Sequence, residues 1–272
     1  MKTSTKWLLG ILIGIIIAIT GFSVWQKKTG PTYPISGSVD FKSGKIDYSL
    51  PRSHDGDGDA LIEIMTSDSL INSNITYMRF RSNDEYKTES FLKLKDRLLF
   101  LIPHQPPAGK VEYSVNMKSQ DGTEHTIADK IKIRFTGHVP TAILVIHILL
   151  MFSSLCFSAR TALEAVYNGK NVLNFAFITM IILFLGGMVL GPIVQKFAFD
   201  AYWTGWPFGE DLTDNKTAIA LLMWIIAWWQ IKKNPAKSSM WAIIAAVVML
   251  LVFLIPHSMF GSELDYTKLP QK

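Results

Sequence analysis

Five long apolar runs, at residues 7–25, 139–159, 171–195, 217–231 and 238–262, constrain this chain more than any other feature. A helix needs about 20 apolar residues to cross the hydrocarbon core of a bilayer. The 217–231 run reaches that length only if its helix starts among Asp214, Asn215 and Lys216. Hydrophobic residues make up 49% of the 272, and they are gathered in blocks, which is the pattern of a membrane protein. The expected fold is a membrane α-helical bundle of five spans, the first an N-terminal anchor within residues 1–28 and the other four a bundle at 139–262. The first run follows Lys2 and Lys6, as a signal peptide would, yet it stays uncharged to Trp25 and lacks an Ala-x-Ala site. It reads as an uncleaved anchor, since the apolar region of a signal peptide usually ends within roughly 7–15 residues.

Charge in the short connections sets an orientation. Lys2 and Lys6 precede the first run, Arg160 and Lys170 lie between the second and third, and Lys232, Lys233 and Lys237 lie between the fourth and fifth. The positive-inside rule makes these segments cytoplasmic, which puts residues 26–138, the 196–216 loop and the tail at 263–272 outside. The net charge of +5 is largely these loop lysines, so no nucleic-acid partner is implied. The single cysteine, Cys156, falls within a run, so no intrachain disulfide holds the outer region. A bacterial cytoplasmic membrane suits such a chain, with the bilayer and a larger membrane-protein complex as its partners.

Residues 35–138 change period. Residues 45–50 and 75–81 alternate apolar with polar, 60–65 and 98–102 are short apolar runs, and 110–118 and 130–135 alternate again. Gly, Asp, Asn and Pro clusters separate them. Seven or eight short strands in about 100 residues describe an external all-β sandwich. Asp55, Asp57 and Asp59, spaced by glycines, carry oxygens that suit Ca²⁺. The position where an EF-hand loop would place its Glu is Thr66, which favours a solvated turn. The segment at 101–115, in which a Pro-rich turn feeds a strand bearing Tyr113, resembles fibronectin type III and related Ig-like domains. That resemblance implies a fold and no activity.

The 199–217 segment is too polar to span a bilayer and too aromatic for an ordinary loop. It holds Trp203, Trp206 and Phe208 beside Glu210, Asp211 and Asp214. Rings of this kind settle at headgroup depth. His147 stands about eight residues into the second run, roughly 12 Å below its outer end, and His257 lies near the outer end of the fifth. An ionisable group in hydrocarbon must find a partner, and neutral imidazoles on facing helices suit a haem iron or another metal. The depths of the two differ, which counts against a simple bis-histidine pair.

Residues 201–224 resemble the Trp-rich external segment of the haem-handling membrane proteins of cytochrome c biogenesis. Trp203, Trp206 and Asp211 take the places of that family's tryptophans and acid, and His147 and His257 those of its flanking haem ligands. The family's Trp-Asp-Pro is missing, and Gly205 falls between the tryptophans. The resemblance implies a cofactor, haem b, held by His147, His257, Trp203, Trp206 and Asp211. An unspecified metal would draw on His147, His257, Glu210 and Asp214.

Three other readings stay open for these residues. The aromatic residues form an interfacial belt while Thr213 or Asp214 caps the next helix; the acidic spot handles cations or protons; or the chain is a non-catalytic accessory subunit docking through its Ig-like domain. Arg160 and Glu164, four apart, read as a helical ion pair. The sequence has no Walker loop, nucleophile elbow, Cys-x-x-Cys-His or His-Glu-x-x-His, so independent catalysis is not expected.

Overall fold

A computed structural model describes residues 3–41, 44–66, 71–119, 122, 124–209, 211–255 and 262–269. The chain divides into two units, one of residues 1–30, 139–197 and 201–261, the other of residues 31–138, 198–200 and 262–272.

Among the described residues, the second unit has ten strands. They are β1 Ile35–Phe41, β2 Gly44–Leu50, β3 Ser53–Asp55, β4 Ala60–Met65, β5 Asn72–Arg79, β6 Lys87–Ser90, β7 Leu92–Leu94, β8 Arg97–Ile102, β9 Lys110–Lys118 and β10 Glu124–Thr136. One sheet runs β1-β2-β4-β8-β7 and the other β3-β10-β9-β5-β6, every pairing antiparallel except β3 with β10. Lettering β2, β4, β5, β7, β8, β9 and β10 from A to G makes the sheets ABED and GFC, the order that immunoglobulin-type sandwiches share. The period of two explains the layering. Ala60, Ile62 and Ile64 of β4 turn inward and are buried, as are Val111, Tyr113, Val115 and Met117 of β9. Inside this core the Tyr113 hydroxyl donates to Pro51 O at 2.8 Å, so the one polar atom of a fully buried ring is satisfied.

Residues 262–268 complete this unit. Leu264 N donates to Ala108 O and Tyr266 N to Arg81 O, each at 3.0 Å. Lys110 pairs with Glu263, whose second oxygen lies 3.2 Å from Arg81 Nε. The Arg79 guanidinium stacks 4.8 Å from the Tyr266 ring centre, and the Tyr266 hydroxyl donates to Gln105 at 2.8 Å. Residues 198–200 join the same unit, with Gly137 N donating to Ala198 O and Arg134 lying over the Phe199 ring.

The other unit is helical. It contains α1 Thr3–Thr29, α2 Thr141–Val166, α3 Val172–Leu183, α4 Gly191–Phe199, α5 Leu212–Lys233 and α6 Ser238–Leu254, with a π-helical segment Phe184–Leu190 joining α3 to α4. Its core gathers Met151, Leu183, Leu221, Trp224 and Met249, and the Trp224 indole donates to the Met249 sulfur at 3.1 Å.

The expected five-span bundle does not stand. Among the described residues, only Thr141–Val166 and Val172–Phe199 are long and apolar enough to cross a membrane, with mean hydropathies of 2.3 and 2.4. The run at 217–231 belongs to α5, which carries Asp214, Lys216, Lys232 and Lys233 within its bounds. The run at 238–262 yields a helix that ends at Leu254, too short for a full span, and α1 has described side chains only from residue 13. Hydropathy located the apolar blocks; helix length and the charges each helix incorporates reduced their number.

Candidate functional site

The 199–217 segment folds onto the start of α5 through two carboxylates. Asp211 is the N-cap, its Oδ1 accepting from Thr213 N at 2.7 Å, which places the cap earlier than Thr213 or Asp214. Asp214 sits one turn in, and its Oδ2 accepts from Thr204 N (2.7 Å), Gly205 N (3.0 Å) and Gln195 Nε2 (3.1 Å). Thr204 Oγ1 lies between the two acids, 3.2 Å from Asp211 Oδ2 and 3.3 Å from Asp214 Oδ2. The backbone closes the loop as Asp211 N donates to Thr204 O, and Asn215 Oδ1 accepts from Trp206 N at 2.7 Å.

Gly205 is required by this approach. A Cβ there would lie 2.7 Å from Asp214 Cβ and 2.6 Å from Asn215 Oδ1.

Burial raises the Asp214 carboxyl above its ordinary value, and the Asp211 charge adds to this; the donors from Thr204, Gln195 and Gly205 work in the opposite direction. Burial lowers Lys216 to about 8, with Asp211 opposing the shift. Lys216 is buried and donates to Ile255 O at 2.6 Å. Both groups lie at the N-terminal end of α5, outside the two helices able to span.

The aromatic residues are arranged unequally. Trp203 is half-buried and its indole donates to Trp206 O at 3.1 Å, whereas Trp206 and Phe208 are 78% and 82% exposed at the tip of the turn. The Trp206–Pro207 peptide is cis.

His147 stands on α2, and its Nδ1 lies 2.9 Å from Gly186 O in the π-helical segment. The same carbonyl accepts from Gly191 N in the wider π-helical pattern. A Cβ on Gly186 would lie 2.9 Å from Leu150 Cβ, so the missing side chain lets α2 and the π segment approach closely.

No known protein family matches this chain, and no curated protein does either.

Of the residues singled out from sequence, Trp203, Trp206, Asp211 and Asp214 come together in this loop, and His147 is anchored to Gly186. His257 and Glu210 lie outside the described residues. Among the described residues, no three His, Cys, Asp or Glu side chains converge as a metal site would require. Sequence reasoning missed Gln195 and Thr204. The only sign of them was a polar residue at the end of an apolar run and a hydroxyl between two tryptophans. The Asp55–Asp59 stretch forms a turn in which Asp59 Oδ1 accepts from His104 N at 2.8 Å, and Arg160 pairs with Glu164 at 2.6 Å.

Proposed function

We propose that this is a non-catalytic accessory protein of a bacterial cytoplasmic membrane, docking on a protein partner through the outer face of the first sheet of its sandwich. The observation that carries this reading is an apolar patch where a solvent-facing sheet is ordinarily polar. Leu61, Met65, Leu92, Leu94 and Leu101 are 47–64% exposed. Leu61 lies opposite Leu101, Leu92 opposite Leu99, and Leu94 opposite Arg97, so the leucines form one area across β4, β8 and β7. The ion pair of Arg97 with Glu63 at 2.8 Å crosses it, and Arg97 also meets Asp96 at 3.3 Å.

The membrane part of the proposal is supported by the helices. Only 17% of the apolar window of α2 and 22% of that of α3–α4 is buried within the protein, which is little for the core helix of a soluble domain. The acids of the loop favour a structural role, because Asp211 and Asp214 are engaged in capping and in closing the turn.

The test is a photo-crosslinking residue placed at Leu101 of the full chain in its native membrane, with Ser36 as an exposed control on the same sheet. A discrete adduct from position 101, absent from position 36 and abolished by Leu61→Glu, is expected. Equal labelling at both positions overturns the reading.

One observation favours a second reading, in which His147 ligates haem b or a metal. When Nδ1 donates to the Gly186 carbonyl, the lone pair is on Nε2, and a backbone carbonyl is a common second partner of ligating histidines. An absorption spectrum of the purified protein, oxidised and then dithionite-reduced, tests it. A Soret band lost in His147→Ala supports ligation, and a colourless, metal-free protein ends it.

A further inference from the structure

The outer face of the second sheet is unlike the leucine-rich face of the first. Seven of its outward positions are hydroxyls or carboxamides arranged in cross-strand rows, beside charged ones such as Glu112 and Lys118. Thr126, Asn116, Asn74 and Ser90 form one row over β10, β9, β5 and β6, and Ser114, Thr76 and Thr88 form the next. Strands stand about 4.8 Å apart, so each row is a ladder of polar groups at regular spacing. Within the rows, Thr126 Oγ1 donates to Asn116 Oδ1 at 2.7 Å, Ser90 Oγ donates to Asn74 Oδ1 at 3.0 Å, and the Thr76 and Thr88 hydroxyls meet at 3.0 Å. These bonds fix the carboxamides, and the NH₂ groups of Asn74 and Asn116 have no acceptor among the described residues.

The rows line a concavity of about 820 Å³, within the range of roughly 300–1,000 Å³ that ligand sites occupy.

We infer that this concavity binds a neutral carbohydrate chain. Sugar hydroxyls both donate and accept, which matches a lining of carboxamide NH₂ groups and hydroxyls. The charges present are already engaged: Lys118 pairs with Glu124 at 2.7 Å, and Lys93 donates to Ile71 O at 3.3 Å. A polyanion would need cations held in reserve. A peptide would look for exposed apolar area; neither row offers any, and the apolar residues of the lining, Ile71, Phe91, Leu98 and Met117, are buried.

The experiment uses the full chain in lipid nanodiscs, free of glycoside detergents, titrated calorimetrically with chitohexaose, cellohexaose and maltohexaose. Saturable binding to at least one is expected, weakened at least about tenfold in Asn74→Ala/Asn116→Ala and unchanged in Leu101→Glu, which alters only the docking face. Thr88→Val, a single change on an edge strand, serves as a milder variant if the double one unfolds and is expected to weaken binding in the same direction. The inference is overturned if none of the three sugars saturates the protein, if both variants bind as well as the unaltered protein, or if a Ser/Thr hexapeptide binds in their place with the same loss on substitution.

Discussion

Asp214 Oδ2 lies 2.7 Å from the amide nitrogen of Thr204, ten residues earlier in the chain. That contact turns an aromatic loop into a defined turn at the head of α5. Replacing Asp214 with alanine removes the acceptor for Thr204 N, Gly205 N and Gln195 Nε2 at once. The expected cost is about 2–3 kcal/mol, seen as a lower unfolding temperature together with altered Trp fluorescence. Asp214→Asn keeps one acceptor oxygen and should lose less; equal losses for the two variants would mean that the hydrogen bonds are not what holds the loop.

Gly205 and Gly209 should not tolerate a methyl group. At Gly205 the added carbon meets Asp214 Cβ and Asn215 Oδ1, and at Gly209 it meets the backbone carbonyl of Thr204. Backbone yields less readily than a side chain, so Gly209→Ala should be the more damaging of the two, at about 2–3 kcal/mol or more. Thermal unfolding of the two single variants, measured side by side, ranks them.

The segment ending the sandwich unit should respond to acid. Burial alone would raise the Glu263 carboxyl, but the hydrogen bond from Lys110 and the Lys110, Arg81 and Arg134 charges outweigh it, so the folded-state value lies below the ordinary 4.5. A carboxyl depressed in the folded state contributes stability in full above its unfolded value, and that contribution disappears as the pH falls through the folded one. Lys110 is itself pushed below its ordinary value, chiefly by burial and despite the pair, but it remains protonated throughout this acidic range. Hydrogen-exchange protection of the Leu264 and Tyr266 amides, corrected for intrinsic rates, should therefore hold at neutral pH and fall in acid below that ordinary value. In Glu263→Gln the protection should not change with pH over that range. An identical acid-induced loss in the variant would assign the effect to another group.

Tyr113→Phe removes the donor to Pro51 O and leaves that carbonyl without its partner inside the sandwich. A loss of about 1–2 kcal/mol is expected, read from the near-UV circular dichroism of the sandwich during urea unfolding. A neutral result would mean that another donor moves in to replace the hydroxyl.

Much of the strand pattern was legible because burial on one face leaves a period of two in the residues. The alternation at 110–118 and the apolar run at 60–65 coincide with β9 and β4. The short strands β3, β6 and β7 left no such trace: β6 is exposed along its whole length, and β7 is leucine-rich on the face turned outward. The helices were misread for a different reason. Apolar content marks where lipid or core contact is favourable, but not whether the helix that forms there is long enough or free enough of charge to span. The expected start of α5 among Asp214, Asn215 and Lys216 brings Asp214 and Lys216 inside it, each with a partner in Thr204 and Ile255, while Lys232 and Lys233 enter at its other end and α6 stops at Leu254. Asp211, Asp214 and the two tryptophans could be named from sequence because acids and rings are rare between apolar runs. Gln195 and Thr204 could not, since their part depends on a backbone reversal that no local pattern records.

The sandwich unit is assembled from three separate stretches of chain, and the last of them, carrying Glu263 and Tyr266, follows α6. Synthesis on the ribosome runs from the N-terminal side, so β1–β10 are made before Glu263, which meets Arg81 and Lys110, and Tyr266, which meets Arg79, exist. The sandwich therefore receives this fastening only after α6 has been translated. A chain released before residue 262 would carry its strands with Arg81 and Lys110 lacking the Glu263 carboxylate, and with Arg79 held by Asp84 but without the Tyr266 ring.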